Sequence, residues 1–431
     1  MKDEKIAKKE KQMTKNKIYI IDVTNRDGVQ TSRLGLAKLE KTIINMYLNE
    51  MGIYQSEFGF PFTGHEINYL QANLELARMG VLKPIFLSGW CRAVKEDVKK
   101  TLDIGIGHIN ISISTSRQMV KGKFRGRVVR EPEENLFKPS IIGMMLEALE
   151  EAKKGGIKTV GINAEDASRT DEEFLIRFSQ IAKAHGADRI RYCDTLGHDD
   201  PFTIYRKVNL LAREIQIPIE LHCHNDLGMA VACSLAGAKG AIDAGVDAYI
   251  NTTVNGMGER AGNADLISVI LSLRKSSGFA NLNLLDERID LSMAWKIAKY
   301  ASYAFEVPIP MNQVGVGDNA FAHESGIHAD GALKDRRNYE LYDFEELGRG
   351  EPEIIETGRK ITTGEYSGIR GFRNVYEQME IEFKNDKEAY QVLELVRYAN
   401  VHTQKPLIND ELKFIASYPD VARKIMTVTP P

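Results

Sequence analysis

Short apolar runs rich in β-branched and aromatic residues recur along the chain, and each is followed by a stretch of helical periodicity. The runs are IYIIDVT from Ile18, IYQSEFGF from Ile53, LKPIFLSGW from Leu82, HINISIS from His108, TVGINAED from Thr159, RIRYCDT from Arg189, IELHCHN from Ile219 and YINTTVNG from Tyr249. The segments between them read as amphipathic helices. In DPFTIYRKVNLLAREIQI, for example, Ile204, Val208, Leu211 and Ala212 fall on one face. Strands alternating with helices predict parallel βαβ units. Eight such units over roughly 260 residues predict an α/β fold closed as a (β/α)8 TIM barrel. An open doubly wound sheet would carry a glycine-rich phosphate turn after its first strand, and NRDGVQ is not one.

Polar residues collect at the ends of these runs. They are Arg26 and Asp27, Glu57, Arg92, Ser114, Glu165 and Asp166, Asp194 and Thr195, His222 and His224, then Asn255. In a barrel these ends converge on the rim where active sites are built. His222 and His224 are two positions apart, so on a strand both imidazoles face one side, and Cys223 faces the other. Asp27, at the end of the first strand, can reach them. The pattern changes after residue 276. LLDERIDLSMAWKIAKYASYAF is expected to form a helix, and a glycine- and histidine-rich loop containing HESGIHADG follows, with His323 and His328 outside the barrel. The remainder is expected to be mixed, then mainly helical. FKNDKEAYQVLELVRYAN is its clearest helix, and a short NDELKFIASYPDVARKI follows. The expected organisation is an N-terminal arm over 1–17, a catalytic barrel over 18–276 and a smaller, mainly helical C-terminal region over 277–431.

Composition narrows the functional class. Of the 431 residues 43% are hydrophobic and 27% charged, ordinary for a globular protein with a sizeable core. The net charge of −3 supplies no basic field for nucleic acid. No apolar run approaches the ~20 residues of a membrane span. The first residues, MKDEKIAKKEKQMTKNK, are lysine-rich but lack the apolar core of a secretory signal. The four cysteines, Cys91, Cys193, Cys223 and Cys233, form no CxxC pair, which points to a reducing cytoplasm.

Two neutral imidazoles, one carboxylate and open positions suit Mn²⁺, Fe²⁺, Co²⁺ or Zn²⁺ and can serve Mg²⁺. Mn²⁺ and Co²⁺ are the first expectation, with Mg²⁺ or Zn²⁺ the alternatives. Arg26 beside Asp27 adds a fixed cation. A 2-oxo acid would chelate such a site through its ketone oxygen and carboxylate. The two cations would then favour the negative charge that grows when a carbon nucleophile attacks the ketone. Arg26 can also be the structural partner of a strand-end carboxylate such as Glu57, although its place beside a ligand favours the chemical role. In NGMGERAGN, from Asn255, the glycines permit close backbone approach to a ligand. Glu259 and Arg260 are expected to pair with each other, and the side-chain oxygen of Asn263 could complete the metal shell. His328 reads either as a hydrogen-bonding loop residue or as a general base.

DVTNRDGVQ, ELHCHNDLGMA, NGMGERAGN and AFAHESGIHADG, in this order, resemble the Claisen-condensing enzymes of the DRE-TIM metallolyase superfamily. These are the isopropylmalate, homocitrate and citramalate synthases and the re-face citrate synthases. The resemblance runs from about Ile18 to the last helices. It implies a metal held by Asp27, His222 and His224 with Asn263 near or in the shell. It implies an oxo acid bound and polarised by Arg26, with Gln30, Glu57 and Thr195 around it. Glu165 falls on a catalytic-site glutamate of the family. His328 and Tyr339 match a histidine and tyrosine that the partner subunit contributes to the acetyl-CoA chemistry, which implies a homodimer. No counterpart of the C-terminal regulatory domain of feedback-inhibited isopropylmalate synthases is expected.

Substrate choice is where the chain departs from parts of the family. Lysine-pathway homocitrate synthases carry histidine at the position of Trp90, and Arg-x-Ser where Gly161-Ile162-Asn163 stands. That arginine grips the far carboxylate of 2-oxoglutarate. Nitrogenase-type homocitrate synthases resemble this chain at these points. Val23 and Asn25 stand where the family commonly has threonine and leucine. The chain looks most like the re-face citrate synthases, with acetyl-CoA and oxaloacetate as substrates. Trp90 would shorten the acceptor pocket, and Arg92 or Arg169 would grip the far carboxylate. Homocitrate synthase is the alternative, a lyase of the 3-hydroxy-3-methylglutaryl-CoA type is more distant, and a non-catalytic metal- or CoA-binding regulator is the rival outside enzymes.

Overall fold

A computed structural model describes residues 16–124, 137–352 and 357–428. The N-terminal arm expected over 1–17 lies, but for its last two residues, outside the described residues. The eight expected strands all form, in chain order, and close on themselves as a parallel barrel. They are β1 Ile18–Asp22, β2 Gln55–Gly59, β3 Phe86–Arg92, β4 His108–Ser114, β5 Thr159–Glu165, β6 Arg189–Asp194, β7 Ile219–Cys223 and β8 Ala248–Thr252. Closure is made by β1 against β8, with Ile18 opposite Ala248 and Asp22 opposite Thr252. A segment pairing with β1 continues this edge: Ile18 N–H donates to Leu284 O, and Asp286 N–H returns to Ile18 O.

Strand alternation divides the core. On β4 the odd residues Ile109, Ile111 and Ile113 are buried, and so are Val160, Ile162 and Ala164 on β5. The opposite parity carries the polar interior described below. The helix after β6 runs from Pro201 to Ile215, with Asp200 accepting the Phe202 and Thr203 N–H groups and proline in its first turn. It buries Ile204, Val208, Leu211, Ala212 and Ile215, the face that the periodicity predicts.

The chain forms two compact units. One comprises the chain up to Ser32, Ile53–Glu57 and Phe86–Ile289; the other comprises Arg33–Gly52, Phe58–Ile85 and the chain from Asp290. Within the second unit the helices Lys38–Glu50 and Ile67–Arg78 belong with the C-terminal helices Ala294–Phe305, Asp386–Thr403, Asn409–Ser417 and Pro419–Met426. Buried polar contacts tie them together. Lys405 Nζ lies 3.0 Å from Glu40 Oε1, and Tyr300 Oη donates to Glu411 Oε1 at 2.9 Å. No described helix is long and apolar enough to cross a membrane.

Three expectations for the C-terminal region are corrected. The helix expected from Leu284 begins only at Ala294, after a short turn at Leu291–Met293, because Leu284 and Asp286 are engaged with β1. His328 lies in the helix Gly326–Lys334 and not in a loop, since its two alanines, its leucine and its lysine are strong helix formers. The last helix is two, broken at Tyr418, the residue before Pro419, where a proline ring disfavours the helical conformation.

Candidate active site

The interior of most barrels is filled by branched apolar side chains. Here the inner positions carry charge. Glu57, expected at a strand end, is the central residue of β2 and is wholly buried. Its Oε1 accepts from Arg191 Nη2 at 2.6 Å and from Asn110 Nδ2 at 2.9 Å, and its Oε2 accepts from Arg26 Nε at 2.7 Å. Arg191 Nε donates to Glu220 Oε1 at 2.7 Å, and Arg189 Nε donates to Glu220 Oε2 at 2.7 Å. Arg26 Nη1 donates to Asp27 Oδ1 at 3.1 Å. Burial opposes the ionisation of Glu57, yet Arg191 and Arg26 hold it well below the usual carboxylate range. Three guanidiniums thus face three carboxylates. A buried network of this kind is poor evidence for stability, because desolvation offsets most of the attraction. It does fix directions, and it leaves Arg26 Nη2 buried with no protein partner.

His222 and His224 meet Asp27 as the spacing predicts. His222 Nε2 is 3.7 Å and His224 Nε2 is 3.9 Å from Asp27 Oδ2, and the rings are 4.9 Å apart and nearly perpendicular. One ligand atom from each of the three residues lies within 4.8 Å of the others, and all three side chains are buried. Burial pushes His222 well below the usual imidazole value and lowers His224 as well, so both rings are in the neutral form that ligates. Burial works against ionisation of Asp27 too, but the Arg26 guanidinium beside it prevails and the carboxyl is lowered. Asn263 Nδ2 donates to Asp27 Oδ2 at 2.6 Å, while Asn263 Oδ1 is buried without a partner. Turning this amide over would present the oxygen at the same place. The donor set therefore fits a divalent cation. The glycine-rich loop explains how Asn263 comes so near: a Cβ on Gly258, which has φ +153°, would sit 2.0 Å from Asn263 Nδ2.

The other predicted residues divide. Trp90 is half-buried, with the Arg26 guanidinium carbon 5.7 Å from its ring centre. Glu165, the last residue of β5, accepts from Ser114 Oγ and Lys123 Nζ. Thr195 Oγ1 accepts from Asp166 N at 2.9 Å. Gln30 is exposed on the short turn Gly28–Gln30 that follows Asp27. Arg92 is largely exposed and binds Asp97 through Nε at 2.7 Å and Nη2 at 2.8 Å. Arg169 is likewise held by Asp166, at 2.8 and 2.9 Å. Arg260 pairs with Glu259 as expected, though more loosely than with a second carboxylate. Its main partner is Asp226, at 2.8 and 3.0 Å, with Thr195 O at 2.5 Å, while Glu259 is 3.8 Å away. The backbone at Arg260 is left-handed, φ 57°, which turns its guanidinium toward the neighbouring loops. In the second unit, His328 and Tyr339 stack with ring centres 4.3 Å apart.

A family model for HMGL-like proteins matches residues 17–300, and a second model, for homocitrate synthase post-HMGL domain-like regions, matches 316–403. The chain belongs to the HMGL-like family. It is 60% identical over 417 residues to a citrate (Re)-synthase of Dehalococcoides mccartyi, covering 96% of this chain and 99% of that one. It is 39% identical to a 2-isopropylmalate synthase of Caldanaerobacter subterraneus, covering 94% and 96%. Among solved structures it resembles the HMG-CoA lyase of Bacillus subtilis, with a TM-score of 0.53 at 18% identity over 69% of this chain and 97% of that one, a likeness of fold. The four sequence motifs thus mark an HMGL-like barrel followed by the second region of the synthase branch, and the superfamily is dependent on divalent metal.

Sequence reasoning missed Arg191, Glu220 and Asn110. The signal was present: Arg191 on β6 and Glu220 on β7 are charged residues at inward strand positions, Glu220 with the parity of His222 and His224. A charge at an inward strand position has to find a partner inside the barrel.

Proposed function

We propose that the protein is a re-face citrate synthase, condensing acetyl-CoA with oxaloacetate and water to give citrate and free CoA. One observation carries this reading: 60% identity over nearly the whole of both chains to a relative of that name. Asp27, His222 and His224, with Asn263 beside them, would hold a divalent ion, Mn²⁺ or Co²⁺ before Mg²⁺ or Zn²⁺, whose contribution when bound is Lewis acidity at the acceptor's ketone. Arg26 Nη2, the donor without a protein partner, faces the acceptor and favours the oxygen on which charge grows. Glu57 fixes that arginine from behind. Trp90 limits the length of the acceptor, and Gln30 and Thr195 line it. Arg92 is assigned to the far carboxylate only if the acceptor displaces its bond to Asp97.

The carbon nucleophile arises by loss of a methyl proton from acetyl-CoA. The new C–C bond forms to the ketone carbon, the ketone oxygen takes up a proton, and water then cleaves the thioester of citryl-CoA. Glu165 stands at the thioester side, and His328 and Tyr339, supplied by the partner subunit of a homodimer, take part in moving the methyl proton. The helix bearing His328 supports the dimer. It has no buried residue, and Ile327 and Leu333 are 76% and 88% exposed, two large apolar side chains that a second copy would cover. The free, buried cysteines fit a cytoplasmic protein. Homocitrate synthesis from 2-oxoglutarate is the second reading, favoured by the family model over residues 316–403. The test is product identification by mass spectrometry after incubation with acetyl-CoA, oxaloacetate and Mn²⁺. Citrate is expected, and its absence while homocitrate forms from 2-oxoglutarate would replace the first reading by the second.

A further inference from the structure

We infer that Arg191 is a positioning residue for the acceptor, acting through Glu57 on Arg26. This rests on the proposed reaction only in taking a 2-oxo acid as the ligand of Arg26. The chain of contacts is continuous. Arg191 is wholly buried in the middle of β6 and spans two glutamates: Nε to Glu220 Oε1 at 2.7 Å, Nη2 to Glu57 Oε1 at 2.6 Å, and Nη1 to Glu57 Oε2 at 3.3 Å. The carboxylate plane of Glu57 is therefore set by a fork from one side. Its Oε2 then takes Arg26 Nε at 2.7 Å, and Arg26 Nη1 takes Asp27 Oδ1 at 3.1 Å. With two of its three nitrogens fixed, the planar guanidinium has no freedom left, and the direction of Nη2 is determined. Only a fork can do this. A lysine at position 191 would be a point charge and could not hold both oxygens of Glu57.

The competing view is that Arg191 merely neutralises two buried glutamates. That role would cost stability when lost but would not single out one substrate. Five proteins separate the two: wild type, Arg191→Lys, Arg191→Met, Glu57→Gln and the double variant Arg191→Met/Glu57→Gln. The double variant removes one charge of each sign, so it keeps the interior neutral and guards against failure of Arg191→Met to fold. Steady-state kinetics are run with oxaloacetate varied at saturating acetyl-CoA, and the reverse. Positioning predicts that Arg191→Met lowers kcat/KM for oxaloacetate about 100-fold while KM for acetyl-CoA stays within about 3-fold. Arg191→Lys should lose about 10-fold, again on the acceptor alone. The double variant should be no worse than Glu57→Gln, because both act on one path. Equal losses on both substrates, or losses that multiply in the double variant, would overturn the inference.

A second readout needs no turnover. Trp90 lies against Arg26, and the chain has two tryptophans. In a Trp295→Phe background the emission of Trp90 should shift in Arg191→Lys and in the double variant as it does in Arg26→Met. Emission unchanged from wild type in both, while Arg26→Met shifts it, overturns the inference even if the acceptor is not oxaloacetate. A wild type that turns over no 2-oxo acid would instead overturn the proposed function.

Discussion

Replacing Gly161 with alanine should destabilise the barrel from within. A Cβ at this position would lie 1.9 Å from Asn110 Oδ1 and 3.4 Å from Arg189 Nε. Asn110 is wholly buried, and its Nδ2 donates to Glu57 Oε1 at 2.9 Å. Turning the amide over only exchanges oxygen for nitrogen, so the whole side chain has to swing, and its bond to Glu57 breaks. A hydrogen bond to a charged group contributes about 1.5–3 kcal/mol, and crowding in a packed interior costs roughly 1 kcal/mol more. The sum, about 2–4 kcal/mol, corresponds to a fall in Tm of roughly 4–7 °C for a barrel of this size. Thermal unfolding followed by circular dichroism, on Gly161→Ala, Asn110→Ala and the double variant, provides the assay. The double variant should be no less stable than Asn110→Ala alone, since the clash has gone. A Gly161→Ala protein melting within about 1 °C of wild type would refute the reasoning, as would simple addition of the two losses. The same geometry predicts that Gly161→Arg, which imitates the homocitrate motif, folds only when Asn110 is made smaller.

Chelation should abolish turnover, with Mn²⁺ or Co²⁺ restoring it best, and calorimetric titration of His222→Ala should show metal affinity lowered at least about 100-fold, because one of three ligands is gone; full activity after verified metal removal contradicts this. If His328 serves the partner's barrel, mixing inactive Arg26→Ala and His328→Ala subunits should restore part of the activity, and no recovery despite demonstrated subunit exchange would place each site within one chain. Burial raises the Glu411 carboxyl to about 7, so the folded protein holds this proton more tightly than the unfolded chain does. The stability it brings is complete below the unfolded value, near 4.5, and is lost as pH rises through about 7. Glu411→Gln should therefore flatten the fall in unfolding free energy between pH 5 and 8, by up to about 3 kcal/mol at the upper end, and an unchanged pH profile would argue against a proton on that carboxyl.

The barrel was legible because period-2 and period-3.6 patterns alternate cleanly and because strand-end residues share one rim. His222, His224 and Asp27 were legible for the same reason: the parity of β7 and the rim location of Asp27 determine where they point. The Arg191–Glu57–Arg26 path was not, since which charges meet inside a barrel depends on stagger between strands rather than on spacing within one. The closer partner of Arg260 was hidden for a related reason. Its left-handed backbone turns it to Asp226 on a neighbouring loop, and adjacency to Glu259 carried no such information. The helix expected at Leu284 failed because pairing with β1 overrode its local periodicity.

The central claim concerns the acceptor. In the proposed site oxaloacetate and 2-oxoglutarate would present the same 2-oxo acid group to Arg26 and the Asp27–His222–His224 cluster, so discrimination would fall on the far carboxylate and the space beside Trp90. One methylene is worth only ~1–3 kcal/mol, but a carboxylate left without its partner costs more. Steady-state release of free CoA from acetyl-CoA, with each acid varied in turn, tests this most directly. The account predicts that kcat/KM for oxaloacetate exceeds that for 2-oxoglutarate by at least about 100-fold. A preference for 2-oxoglutarate would contradict it and make the protein a homocitrate synthase.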